Sequence, residues 1–194
     1  MLARLAREVR TPLLRLLGLT DLSRWSDPRF YKHEARGRAA LAASLIAPRS
    51  RVLDLGCGHM LLADTLPEGC AYTGADLVPF RPEVLRCDLN NGGEFPPGRY
   101  DYIVMLGVLV YLHHPERVLR EARQRADWLV VCYTFAKQRG FRALRRRWRP
   151  GYVNNFDEAA FLGVLAAAGW QPQTSRTYHE TPHSRHDLYL CTGR

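Results

Sequence analysis

The sequence predicts an α/β fold: a seven-stranded, mostly parallel sheet with helices on both faces and an antiparallel hairpin at its C-terminal end. Three observations predict it. Short apolar runs alternate with helical stretches between residues 51 and 168. Several of those runs are apolar almost throughout, as strands covered on both faces must be. The last two runs are joined by the polar loop 179–185, too short for a helical crossover, so they pair antiparallel.

The elements follow in order. Residues 2–17 read as a broken amphipathic helix. Leu2, Leu5 and Val9 share one face, and Thr11-Pro12 is a fresh N-cap and first turn ahead of Leu13, Leu14, Leu16 and Leu17, with Gly18 as the stop. Residues 21–32 read as a loop with exposed aromatics, and 34–46 as a helix ended by Pro48. Strands follow at Arg51–Leu55, Ala71–Asp76, Val84–Cys87, Tyr100–Leu106 and Trp128–Phe135. Helices fall near 60–66, at 115–125, and at 157–168 between Asp157 and Gly169. Gln171–Tyr178 and Asp187–Cys191 form the closing hairpin.

Composition narrows the function. At 194 residues, 46% of them hydrophobic and 24% charged, the chain is globular and not fibrous or disordered. Its longest apolar run, Tyr102–Leu112, falls well short of the ~20 residues of a membrane helix. Charge interrupts the N-terminal apolar residues, so no continuous signal-peptide core is present. Five cysteines without a CxxC spacing read as buried thiols in a reducing cytoplasm. The net charge of +9 is local: +3 on residues 1–15 and +7 on Lys137–Arg149, leaving a near-neutral body. A dedicated nucleic-acid binder would distribute its charge differently.

The most informative motif is Val52-Leu-Asp-Leu-Gly-Cys-Gly58, an apolar strand running into a glycine turn at the carboxyl edge of the sheet. Glycines there let a ligand approach the backbone, and a following helix N-terminus presents free N–H groups to it. Asp54 can accept from a ligand ammonium or hold the turn. Asp76, twenty residues after Gly56, can accept from both hydroxyls of a ribose. The dinucleotide fingerprint needs a third glycine where Leu61 stands, which disfavours NAD.

This string resembles the first motif of class I S-adenosylmethionine-dependent methyltransferases. The resemblance extends over roughly residues 35–192. Cys87-Asp88-Leu89 is similar to the family's acidic residue after the third strand, which contacts adenine. Tyr100–Leu119 is similar to its fourth strand, cofactor-lining loop and next helix. Asn155–Phe161 and Ala168-Gly-Trp170 are similar to the late helix and its exit into strand six. The spacing is closest to MetW-like and other small-molecule methyltransferases. The resemblance implies a Rossmann-like class I fold over 34–194, a helical cap at 1–33, and a basic helical insertion at about 136–156. It implies S-adenosylmethionine as cofactor, S-adenosylhomocysteine as product, and in-line transfer to a small molecule, possibly an acidic one. The residues it implies around the cofactor are Asp54, Gly56, Cys57, Gly58, Asp76, Leu77, Asp88, Leu89, Leu106 and Gly107. His113 and His114, after strand four, are the candidate bases for an oxygen or nitrogen nucleophile. Tyr31, Tyr111 and Trp25 either line the pocket or simply pack. The family's usual glycine two positions after Gly58 is Met60 here, a side chain that would crowd the amino-acid end of the cofactor unless it turns inward.

Other readings stay open or close here. No Asn-Pro-Pro-Tyr type motif follows strand four, which argues against methylation of a flipped DNA base. His179-Glu-Thr-Pro-His183 matches HExxH in letters, but Pro182 breaks the required helix, so no metal site is expected. Lys137–Arg149 sets Phe141, Leu144 and Trp148 on one apolar stripe of a basic helix. It is a lid gripping an acidic substrate, a surface for a protein partner or an anionic membrane, or a solvated face. RNA is disfavoured there, because no ladder of stacking aromatics accompanies the charge. A partner-dependent, non-catalytic role, which the MetW-like resemblance allows, is the alternative to an enzyme.

Overall fold

Short runs rich in valine, leucine and isoleucine suit strands covered on both faces, and the computed structural model places them in one sheet. It describes residues 10–27, 35–92, 95–138 and 140–193. Residues 10–16 are helical, followed by a short helix α1 (Leu22–Trp25) and α2 (Ala35–Ala43). Then come β1 (Arg51–Leu55), β2 (Ala71–Asp76), β3 (Leu85–Arg86), β4 (Tyr100–Leu106), α3 (Pro115–Arg125) and β5 (Ala126–Ala136). The chain closes with α4 (Phe141–Trp148), α5 (Glu158–Ala167), β6 (Trp170–Glu180) and β7 (Ser184–Gly193).

The strands form one sheet in the order β3-β2-β1-β4-β5-β7-β6. β1 through β5 pair in parallel, while β7 runs antiparallel between β5 and β6. The order reverses between β1 and β4, and that reversal opens a crevice beyond their carboxyl ends. Each face carries its own core. One packs Leu53, Ile103, Leu129 and Tyr133 against Leu119 of α3 and Phe161 of α5. The other packs Val52, Val104, Val130 and Leu188 against Ala42 and Ala43 of α2. Trp170, fully buried, donates its indole N–H to the Leu119 carbonyl at 2.9 Å and so locks α3 to β6.

Several expectations are corrected. No α-helix forms at 60–66. Met60 is left-handed (φ 62°), which an α-helix does not tolerate, and Ala63–Thr65 is a single 3-10 turn. Thr11 does not cap a new helix. Arg10 is already helical, and the buried Thr11 hydroxyl donates to the Trp148 carbonyl at 2.9 Å. Trp25 is not an exposed loop aromatic, since it stands on α1 and meets Tyr111 edge-on at 4.5 Å. The two last strands reach further than expected, leaving only Thr181–His183 as the turn, with His179 paired to His186 across the ladder. The structure shows which way α4 faces. Ala143 and Arg147 face inward, while Phe141 is 65% exposed. Arg147 is held inside by the backbone carbonyls of Thr134 and Asn154, to which it donates. Leu2, Leu5, Val9 and Tyr31 lie outside the described residues.

Candidate active site

The crevice at the sheet reversal is a cleft of about 1550 Å³. All ten residues implied for the cofactor line it: Asp54, Gly56, Cys57, Gly58, Asp76, Leu77, Asp88, Leu89, Leu106 and Gly107. The turn after β1 is built by backbone. The Gly56 and Cys57 N–H groups both donate to the Ala75 carbonyl, at 2.8 and 3.2 Å. Gly56 is left-handed (φ 78°), and a Cβ there would stand 3.0 Å from the Val108 side chain. These N–H groups are tied to β2 and are not aimed into the cleft from a helix end, which corrects the expected anion cradle.

The carboxylates supply the polarity instead. Asp76 is buried, with Oδ2 accepting from the Gly58 N–H at 2.8 Å and Oδ1 from the Val78 N–H at 3.3 Å. Burial raises its pKa, and the N–H donors of Gly58, Val78 and Leu77 oppose that rise. Two N–H contacts leave lone pairs on both oxygens for further donors. Asp54 is also buried and accepts from the Tyr72 hydroxyl at 2.9 Å. Desolvation pushes its pKa up to about 7, with Tyr72 and Arg38 pulling against that and Asp76 adding to it. Asp88 closes its own turn, accepting from the Asn90 N–H at 3.0 Å and from the Asn91 side chain at 2.7 Å. Met60 does not line the cleft, so the crowding expected from its side chain is not found.

His113 and His114 are not brought to this cleft. The ring of His113 lies 3.2 Å from the Leu19 carbonyl, and His114 is exposed beside Glu116 at 3.5 Å. The histidines on the cleft wall are His59, His179, His183 and His186. His186 bridges the Thr134 hydroxyl and the Ser184 hydroxyl, each at 3.1 Å. Burial, with His179, Arg38 and Arg147 nearby, pushes its pKa down to about 4, so it is neutral at pH 7. Trp25 and Tyr111 both line the cleft.

Sequence reasoning missed Arg38 and the asparagine that seats the far wall, and it met Arg147 only as one member of the basic run Lys137–Arg149. Arg38 lies over Gly107, where a Cβ would come within 2.7 Å of its Nη1, and its buried Nε has no acceptor among the described residues. The signal was an arginine one turn ahead of the apolar Ala42–Ile46 stripe. Arg147, 6% exposed, donates to the carbonyls of Thr134 (2.9 Å) and Asn154 (3.2 Å) and sits over the Tyr152 ring. Its Nε likewise has no acceptor. Among the described residues neither arginine makes an ion pair. Asn154 donates to the carbonyls of Leu109 (2.6 Å) and Leu112 (2.9 Å) and accepts from Tyr133 at 2.5 Å. It joins the loop after β4 to the segment after α4, and nothing in its neighbourhood in sequence marks it for that.

A sheet of this order, with its cleft at the reversal and carboxylates ending β1 and β2, defines the class I methyltransferase architecture. A family model described as a methyltransferase domain matches residues 5–175, so the chain belongs to that methyltransferase family, whose class I members use S-adenosylmethionine. No curated protein matches the chain. Among solved structures it is similar to magnesium protoporphyrin IX methyltransferase of Synechocystis PCC 6803, solved with bound S-adenosylhomocysteine. The TM-score is 0.60 at 19% identity, covering 89% of this chain and 94% of that one. It is also similar to a 1,6-didemethyltoxoflavin N1-methyltransferase of Burkholderia thailandensis (TM-score 0.61, 17% identity, 83% of this chain and 79% of that one). A third similar structure is the mitomycin 7-O-methyltransferase (TM-score 0.60, 17% identity, 83% of this chain), of which this chain spans 54%.

Proposed function

We propose that the chain transfers the methyl group of S-adenosylmethionine to a small acceptor carrying a carboxylate or phosphate. The observation that carries this reading is the pair Arg38 and Arg147, two guanidiniums on the wall of one cleft, neither of them in an ion pair among the described residues. An anion entering the cleft would meet positive charge on its wall that no carboxylate pairs with among the described residues. Protoporphyrin, toxoflavin and mitomycin methyltransferases among the similar structures support a small-molecule acceptor.

When bound, the cofactor supplies a methyl group already activated on a sulfonium. The chain's own residues then hold and align. Asp76 would receive the ribose hydroxyls, Asp54 the ammonium, and Asp88 and Leu89 would flank the adenine. Arg38 and Arg147 fix the acceptor so that its nucleophile lies in line with the methyl carbon. Alignment of this kind can supply roughly 7–11 kcal/mol of the barrier in favourable cases.

Calorimetry and a transfer assay test the two halves separately. Asp76→Ala lowers affinity for S-adenosylhomocysteine by more than about tenfold, the size of a lost charge-assisted hydrogen bond. In a labelled-methyl assay over a panel of aromatic carboxylic acids and their amides, turnover is confined to the acids, and Arg38→Met abolishes it without loss of cofactor affinity. Turnover of amides alone would overturn the acidic-acceptor reading. Cofactor binding unchanged in Asp76→Ala would overturn the ribose assignment.

A further inference from the structure

Seven large apolar side chains stand strongly exposed among the described residues, and six of them belong to one region. Leu13, Leu16, Leu17, Leu19 and Leu22 lie on residues 13–22, and Phe141 opens α4. The helix at 10–16 is inverted relative to a core-packing helix. Thr11 is buried, whereas Leu16 is 83% exposed and Leu13 and Leu17, on the same face one turn apart, are exposed with it. Residues 10–27 and α4 are joined. The Thr11 hydroxyl donates to the Trp148 carbonyl at 2.9 Å, and Arg24 donates to the Arg149 carbonyl at 2.8 Å.

The charge beside these leucines is mainly basic: Asp21, the one acid on residues 13–22, is paired with Arg10 at 2.8 Å. No aspartate or glutamate occurs between residues 137 and 156, and Arg142, Arg145, Arg146 and Arg149 accompany Phe141. Arg15 is exposed between the leucines. Isolated exposed leucines need no account, but a contiguous set rimmed by polar groups marks a binding surface. A second copy of the chain is a poor occupant, because face-to-face pairing would set arginines against arginines. An anionic bilayer satisfies both features together. Leucines enter the acyl boundary, and guanidiniums meet lipid phosphates, as in interfacial helices with a basic polar side.

We propose that residues 13–22 together with α4 form a peripheral docking face for anionic phospholipid membranes. No helix among the described residues is long and apolar enough to cross a membrane, so the face rests on the surface and does not span it. The face is built from the same α4 that brings Arg147 to the cleft, so docking sets the cleft beside the lipid.

Sedimentation of the whole protein with vesicles of phosphatidylcholine, with and without phosphatidylglycerol, tests this. Binding is expected to the phosphatidylglycerol vesicles, falling as salt rises. The double variant Leu16→Glu, Leu17→Glu is expected to weaken it by about tenfold or more, and Arg15→Glu, Arg142→Glu by a similar factor. Both pairs are exposed and outside the cleft, so thermal midpoint and S-adenosylhomocysteine affinity serve as controls for folding. Absence of binding to phosphatidylglycerol vesicles overturns the proposal, and so does equal binding by both variants. Concentration-dependent self-association abolished by the leucine variant would overturn it in favour of a second copy.

Discussion

Asp54 offers the sharpest test, because burial gives it a signature in pH. Its pKa stands at about 7 against an ordinary value of 3.8, and desolvation is the main cause. A raised carboxyl pKa means that the folded chain holds a proton which the unfolded chain has released between pH 4 and 7. The associated stability is fully present below pH 4, falls as pH rises, and is gone above pH 7. About 3 pH units at ~1.4 kcal/mol each make the difference on the order of 4 kcal/mol. Asp54→Asn keeps an oxygen for the Tyr72 hydroxyl and removes the titration. Denaturant unfolding should therefore find the variant more stable than wild type at pH 8, with the gap shrinking toward pH 5. With the ammonium placed as proposed, cofactor binding reverses the sign, since a cation beside Asp54 favours its ionised form. Wild-type affinity for S-adenosylmethionine should rise through pH 7, with a proton released in calorimetry, and Asp54→Asn should lose about tenfold or more at pH 8. A variant no more stable than wild type at pH 8, together with affinity flat from pH 5.5 to 8.5, would refute the reasoning.

Two other substitutions probe the walls of the cleft. Asn154→Ala deletes two donated and one accepted hydrogen bond in a buried site, and should cost about 2–4 kcal/mol in urea unfolding while raising the KM for the acceptor more than the affinity for the cofactor falls. Met60→Gly relieves a left-handed non-glycine residue without touching the cleft, so cofactor affinity should stay within about twofold of wild type by calorimetry. A tenfold gain would mean that the Met60 side chain crowds the site after all.

Fold class, strand count and nearly every strand were legible in the chain because apolar runs this continuous have one stable environment, the middle of a covered sheet. The glycine turn after Leu55 and the acids at Asp54, Asp76 and Asp88 were legible for a related reason: their positions follow from where strands end. The helix expected at 60–66 failed on a backbone angle that residue type did not announce, since methionine is an ordinary helix former. His113 and His114 occupied the right place in sequence order, but the peptide leaving Leu112 is fixed by Asn90, whose side chain takes the His113 N–H at 2.8 Å. That bond links positions 23 residues apart.

Local composition thus determined which segments pack and which turns can admit a ligand. The tertiary structure alone decided which arginines and histidines join the acids on the cleft wall. Arg38, Arg147 and His186 come from α2, α4 and β7, and they share a cleft only because the sheet order sets those elements around one opening. Burial and partnering are properties of the assembled walls, and a guanidinium acquires an unanswered donor only once its surroundings have closed over it.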